Sequence, residues 1–149
     1  MMKFTPSDAL AMKGVPIYDG GYINMFEIHV SAEFEAAHRV AGYNGKCDRL
    51  HGHSWTVEAA VTGRKLDNLG MLVDFKVVKG RLRDLLETLD HQYLNELPAF
   101  ADGHNPTAEH LAQYIYEEMA KAEFFDDNVK LKHIQVWESP KSSVIYSLE

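Results

Sequence analysis

Four side chains in one short stretch have the chemistry of a metal-assisted proton-transfer site: His38, Cys47, His51 and His53. His51 and His53 stand two apart and lead into Ser54-Trp55-Thr56-Val57-Glu58-Ala59-Ala60-Val61, whose alternation predicts a strand, so both imidazoles leave the same face. His38 closes a second alternating run. There Phe26, Ile28, Val30, Ala32, Phe34 and Ala36 share its face, while Glu27, His29, Ser31, Glu33 and Glu35 take the other. Antiparallel pairing of the two runs brings three histidines together at one end of a sheet. Three neutral imidazoles suit zinc with a fourth position left open, the arrangement of a catalytic rather than a structural site. Cys47 then stands within reach of that position as a base or nucleophile. His-x-His pairs also occur in ordinary chains, where a strand-end histidine is simply hydrogen bonded. These residues alone leave both readings open.

Two further positions carry possible chemistry. In the run from Val129 to Glu138, Ile134 and Val136 point to one side, and strict alternation sends Glu138 the same way. A carboxylate at the end of an apolar face needs a cationic or multi-donor partner unless the strand end is solvated. A functional partner would be an amidine-like edge, which gives a carboxylate two parallel N–H bonds. Asp90-His91 is either a solvated helix end or an aspartate-oriented histidine, the usual proton-transfer unit at neutral pH. His29, His104, His110 and His133 show no spacing that yields ligands.

The elements that position these residues follow from periodicity. Strands are predicted from about Met25 to His38 and from His51 to Thr62, joined by a loop over Arg39–Leu50 that holds Gly42, Asn44 and Gly45. After the turn Asp67-Asn68-Leu69-Gly70, Asp74 caps a helix whose apolar stripe is Phe75, Val78, Leu82, Leu85, Leu86 and Leu89. That helix ends near Asp90-His91, and Tyr93 to Pro98 breaks the period. Pro106-Thr107 starts a second helix that buries Leu111, Ile115 and Met119, with Glu109 in its first turn. Strands over Val129–Glu138 and Ser143–Leu148 close the chain around the turn Ser139-Pro140-Lys141-Ser142. The expected architecture is α+β, a four-stranded antiparallel sheet in the order β-β-α-α-β-β with both helices on one face.

With 149 residues, 46 % of them hydrophobic, the chain suits one domain with a real core. Residues 1–22 read as an N-terminal extension, with a short helical turn around Asp8-Ala9-Leu10-Ala11-Met12, and residues 23–149 as the domain. A formal charge of −7 argues against nucleic acid as a partner. The single cysteine excludes an internal disulfide. No apolar run reaches membrane-spanning length and no h-region follows Met1, so the expected setting is the cytoplasm, away from membranes.

Several ordered blocks then resemble the 6-pyruvoyltetrahydropterin and 6-carboxytetrahydropterin synthase family. They are Phe34-Glu35-Ala36-Ala37-His38-Arg39, Cys47-Asp48-Arg49-Leu50-His51-Gly52-His53, Gly70-Met71-Leu72-Val73-Asp74-Phe75, Leu89-Asp90-His91-Gln92-Tyr93-Leu94-Asn95, Pro106-Thr107-Ala108-Glu109 and Glu138. The resemblance covers nearly everything from Phe26 to Leu148. It implies the tunnelling fold, or T-fold, and a homohexamer of two trimers with sites between subunits. It implies that His38, His51 and His53 hold Zn2+, that Cys47, Asp90 and His91 are catalytic, and that Glu138, Thr107 and Glu109 bind the pterin triphosphate. Arg39, Lys46 and Arg49 are candidates for the triphosphate. The three-residue spacer between Cys47 and His51 resembles the bacterial carboxytetrahydropterin branch, which serves queuosine and other deazapurines. Cys47 argues against a third branch in which glutamate replaces cysteine. The implied activity is a zinc-dependent lyase making 6-carboxy-5,6,7,8-tetrahydropterin, acetaldehyde and triphosphate from 7,8-dihydroneopterin triphosphate. The alternatives are 6-pyruvoyltetrahydropterin synthase, which eliminates triphosphate, and a non-catalytic pterin- or zinc-binding module.

Overall fold

The computed structural model describes residues 17–18 and 22–149; the helical turn expected around Asp8–Met12 lies outside the described residues. Two short strands, β1 (Ile17–Tyr18) and β2 (Tyr22–Ile23), pair antiparallel before the main sheet begins. The main sheet opens with β3 (Phe26–His38), followed by β4 (His51–Gly63), which pairs antiparallel with it along its whole length, from Phe26↔Gly63 to His38↔His51. The loop between them holds a 3-10 turn at Lys46–Asp48. Helix α1 (Phe75–Glu87) begins where the Asp74 carboxylate accepts from the Lys76 amide at 2.8 Å. A two-residue strand, β5 (Gln92–Tyr93), comes next, and helix α2 (Ala108–Met119) follows, capped by Thr107. Strands β6 (Lys130–Ser139) and β7 (Ser142–Tyr146) complete the sheet.

Sheet order is β5-β3-β4-β6-β7, and β5 runs parallel to β3. The sheet is therefore mixed and five-stranded, not the four-stranded antiparallel sheet expected from periodicity. Two residues are too few to alternate, so β5 leaves no signature of its own; its pairing of Gln92 with Ala36 and Tyr93 with Ala37 comes from the way the chain returns after α1. His91 makes that return in the left-handed region, at φ 56°, with its amide donating to the Glu35 carbonyl at 2.6 Å.

Both helices pack on one face. Val78, Leu82, Leu85, Leu86 and Leu89 meet Leu111, Ile115 and Met119 over the inward side chains Val30, Phe34, Trp55, Val57, Ile134 and Val136. Phe75, expected in the stripe, is 60 % exposed at the first helical position. Glu27, His29, Ser31, Glu33 and Glu35 are exposed on the other face, as alternation requires. One β-bulge interrupts the pairing of β4 with β6: Ala60 faces His133 and Val61 faces Leu131, leaving Lys132 as the extra residue. Among the described residues no helix is long and apolar enough to cross a membrane.

Candidate functional site

The full-length β3–β4 ladder sets His38 directly opposite His51, and the two-residue period brings His53 to the same face opposite Ala36. Ring centroids are 4.6 Å apart for His38 and His51, 5.1 Å for His38 and His53, and 4.8 Å for His51 and His53. One ligand nitrogen from each lies within 4.8 Å of the others. Trp55, fully buried beneath them, packs edge-on against His38 and His53 at 5.1 Å each and stacks on Phe34. The cluster therefore stands at the end of the core face with an indole as its floor.

The hydrogen bonds decide which nitrogens are available. His38 Nδ1 donates to the Pro106 carbonyl at 2.7 Å, and His51 Nδ1 donates to the Arg49 carbonyl at 2.6 Å. A carbonyl can only accept, so both rings carry the proton on Nδ1 and keep a lone pair on Nε2. His38 is 1 % exposed, yet its Nε2 has no hydrogen-bond partner among the described residues, and neither does the buried Nε2 of His53. Orphaned buried nitrogens in a converging set fit a metal ion, and imidazoles oriented by backbone carbonyls have the outer support that metal-binding histidines take. Burial lowers the pKa of His38 and of His53, which favours the neutral form that coordinates. His38, His51 and His53 are thus the residues that could hold the ion.

Cys47 lies half-buried in the 3-10 turn. Its carbonyl accepts from Val40 at 2.7 Å, and Arg39 ties the turn down through Asp48 at 2.7 Å. That ion pair gives the Arg39 guanidinium a structural partner, while Lys46 and Arg49 remain exposed on the same loop. Two asparagines with no chemical signature in the sequence grip the segment leaving β3. Asn95 bonds both the amide and the carbonyl of Arg39 at 2.9 Å, and Asn105 bonds those of Ala41 at 2.9 and 3.1 Å. Asn95 closes the Leu89–Asn95 block and Asn105 precedes Pro106, so their positions beside singled-out residues are the only trace of this role in the chain.

Glu138 points, as alternation predicted, to the face of Ile134 and Val136, with Oε1 3.7 Å from His53 Nε2. Thr107 accepts from the His110 amide at 3.2 Å as the cap of α2, next to the Pro106 carbonyl that orients His38; Glu109 is exposed in the first turn. Asp90 accepts from the Glu35 amide at 2.8 Å and from His91 Nδ1 at 2.7 Å. The Glu35 N–H and His91 hold the Asp90 carboxyl below its ordinary range, and Asp90 in turn raises the His91 pKa. His91 is 78 % exposed and lines, with Glu35, Ala37, His53 and Tyr93, a cleft of about 440 Å³ that does not include Cys47. The Asp90–His91 pair is bonded at Glu35 on β3, whereas the Cys47 turn is bonded at Val40, past the end of that strand.

The chain is similar to known proteins in sequence and in fold. The sequence model of the 6-pyruvoyl tetrahydropterin synthase family matches residues 27–149. A 6-carboxy-5,6,7,8-tetrahydropterin synthase from Rickettsia felis is 30 % identical over 128 residues, covering 75 % of this chain and 93 % of that protein. The protein of the same name from Bacillus subtilis is 32 % identical over 126 residues, covering 81 % and 84 %. The solved 6-pyruvoyl tetrahydropterin synthase of Caenorhabditis elegans shares the fold with a TM-score of 0.74 at 24 % identity, covering 85 % of this chain and 97 % of that one.

Proposed function

Because this chain belongs to the 6-pyruvoyl tetrahydropterin synthase family, we propose that it is a zinc-dependent lyase. It takes 7,8-dihydroneopterin triphosphate and water to 6-carboxy-5,6,7,8-tetrahydropterin, acetaldehyde and triphosphate, a product that serves queuosine or deazapurine synthesis. The observation that carries the reading is the set of three converging imidazoles with two Nδ1 protons tied to carbonyls, in a chain whose relatives at 30 % and 32 % identity are named for this product. Residues 23–149 are the synthase domain in this proposal, and residues 1–22 its extension.

His38, His51 and His53 hold the zinc ion in this reading, and they supply three ligands with a fourth position open. When bound, zinc supplies Lewis acidity toward the hydroxyl and carbonyl oxygens of the substrate side chain, which acidifies the adjacent C–H bonds. Cys47 removes and returns protons at those carbons. Asp90 keeps His91 oriented and charged, so that His91 can donate or recover a proton on the other side of the substrate. Glu138 accepts two N–H bonds from the amidine-like edge of the pterin, with Thr107 and Glu109 beside it. That the cleft lined by His91 does not include Cys47 supports a site completed between subunits of a cytoplasmic homohexamer, a dimer of trimers. Arg39 is committed to Asp48, which leaves Lys46 and Arg49 as the loop cations for triphosphate.

Product analysis on the purified chain tests the reading. Incubation with 7,8-dihydroneopterin triphosphate yields the 6-carboxy product and acetaldehyde in equal amounts. Accumulation of 6-pyruvoyltetrahydropterin as the sole product overturns the carboxy assignment, and pterin binding without turnover overturns the enzyme reading.

A further inference from the structure

A second cluster stands on the sheet face that the helices leave open. The register pairs His29 of β3 with Ala60 of β4, and Ala60 with His133 of β6, so two imidazoles stand on either side of one methyl group. Ala60 is fully buried although it points to the open face, because those rings cover it. Glu58, two residues along β4, shares that face, and its Oε1 lies 2.6 Å from His29 Nδ1. His133 Nε2 is buried and has no hydrogen-bond partner among the described residues. One ligand atom from each of His29, Glu58 and His133 lies within 4.8 Å of the others.

We propose that His29, Glu58 and His133 form a second binding site for a divalent transition metal, separate from the three-histidine cluster. Two imidazoles and a carboxylate are a donor set that zinc accepts, with ligand atoms about 3.3 Å apart in tetrahedral geometry, so small side-chain adjustments suffice. The supporting layer is already built. Glu27 accepts from His29 Nε2 at 3.0 Å and Lys132 holds the other oxygen of Glu27 at 2.6 Å, while Glu58 accepts from Nδ1, so an ion entering between Nδ1 and Glu58 displaces the Nδ1 proton. A carboxylate behind a histidine is the outer support that fixes a ligand's tautomer. Lys132 is the extra residue of the β-bulge, and the bulge sets His133 opposite Ala60; bulges that re-aim a side chain recur next to sites. The two clusters lie on opposite faces, and His29 and His38 are nine residues apart on β3, about 30 Å in an extended strand. They cannot share one ion.

The test is a zinc titration of the metal-stripped full-length chain in competition with a chromophoric chelator, with circular dichroism reporting the fold of each variant. The wild-type chain takes up two equivalents. His133→Ala and Glu58→Gln each take up one, His51→Ala also takes up one, and the double variant His51→Ala, Glu58→Gln takes up none. Glu58→Gln is nearly isosteric and half-exposed, so it decides the matter even where His133→Ala fails to fold. Glu27→Gln keeps both equivalents but weakens one of them 10- to 100-fold, the usual effect of removing an outer carboxylate. A single wild-type equivalent that vanishes in His51→Ala overturns the proposal, as do two equivalents that persist in Glu58→Gln. A single equivalent that survives His51→Ala and vanishes in Glu58→Gln instead upholds this site and overturns the three-histidine one.

Discussion

The two histidine clusters occupy the same strands and differ in almost everything else. The first closes the core face, with His38 buried, Trp55 as its floor and backbone carbonyls of Arg49 and Pro106 holding the rings. The second lies on the open face, is anchored by the carboxylates of Glu27 and Glu58, and is more exposed. Backbone carbonyls belong to elements whose positions are set by the whole fold, whereas carboxylate side chains at a surface carry their own rotamer freedom. The first is therefore the more tightly held of the two, as suits the catalytic role proposed for it.

The most damaging way to probe this contrast is His51→Ala. Loss of a direct ligand costs more than the roughly 10- to 100-fold expected for an outer partner, so metal at the first cluster and turnover both collapse while the open-face cluster is unaffected. Elemental analysis beside a turnover assay reads both, and full zinc at the first cluster in this variant would refute the site. Cys47→Ala separates proton transfer from metal binding: turnover falls about 10²- to 10⁴-fold while metal at both clusters stays at the wild-type level. Loss of metal in a folded Cys47→Ala would make the cysteine a fourth ligand and close the open position. A smaller effect is expected for Thr107→Ala, which removes the cap of α2 next to the Pro106 carbonyl and costs about 1 kcal/mol in chemical denaturation. An unchanged midpoint there would show that α2 does not depend on that cap.

The smallest effect is electrostatic. Asp90 raises the His91 pKa above its ordinary value of 6.5, so His91 keeps its proton to higher pH than a free histidine. The pairing stabilises the fold below that ordinary value and fades as pH rises through the raised midpoint. Titration of the His91 ring followed by nuclear magnetic resonance gives a midpoint above 6.5 in the wild-type chain, and Asp90→Asn moves it down. An identical midpoint in Asp90→Asn would show that the hydrogen bond does not hold in solution.

What could be read in advance tracks sequence separation. His51 and His53 were legible because a two-residue period puts them on one face, and His38 because it ends an alternating apolar run. Glu138 was legible by the same parity. Strand β5 was not, because two residues carry no period, and Phe75 fits the helical stripe by angle although it stands exposed at the helix start.

The sequence by itself determined the two helices, the four long strands and which strand residues share a face, His51 with His53 among them, since all of these follow from local periodicity and capping. Only the tertiary structure decided which strands are neighbours, so that His38 meets His51, where β5 joins, and that His29 meets His133 across Ala60. Pairing register between distant segments depends on how whole faces bury against one another and on a single bulge at Lys132, and a one-residue slip would send His133 to the other face.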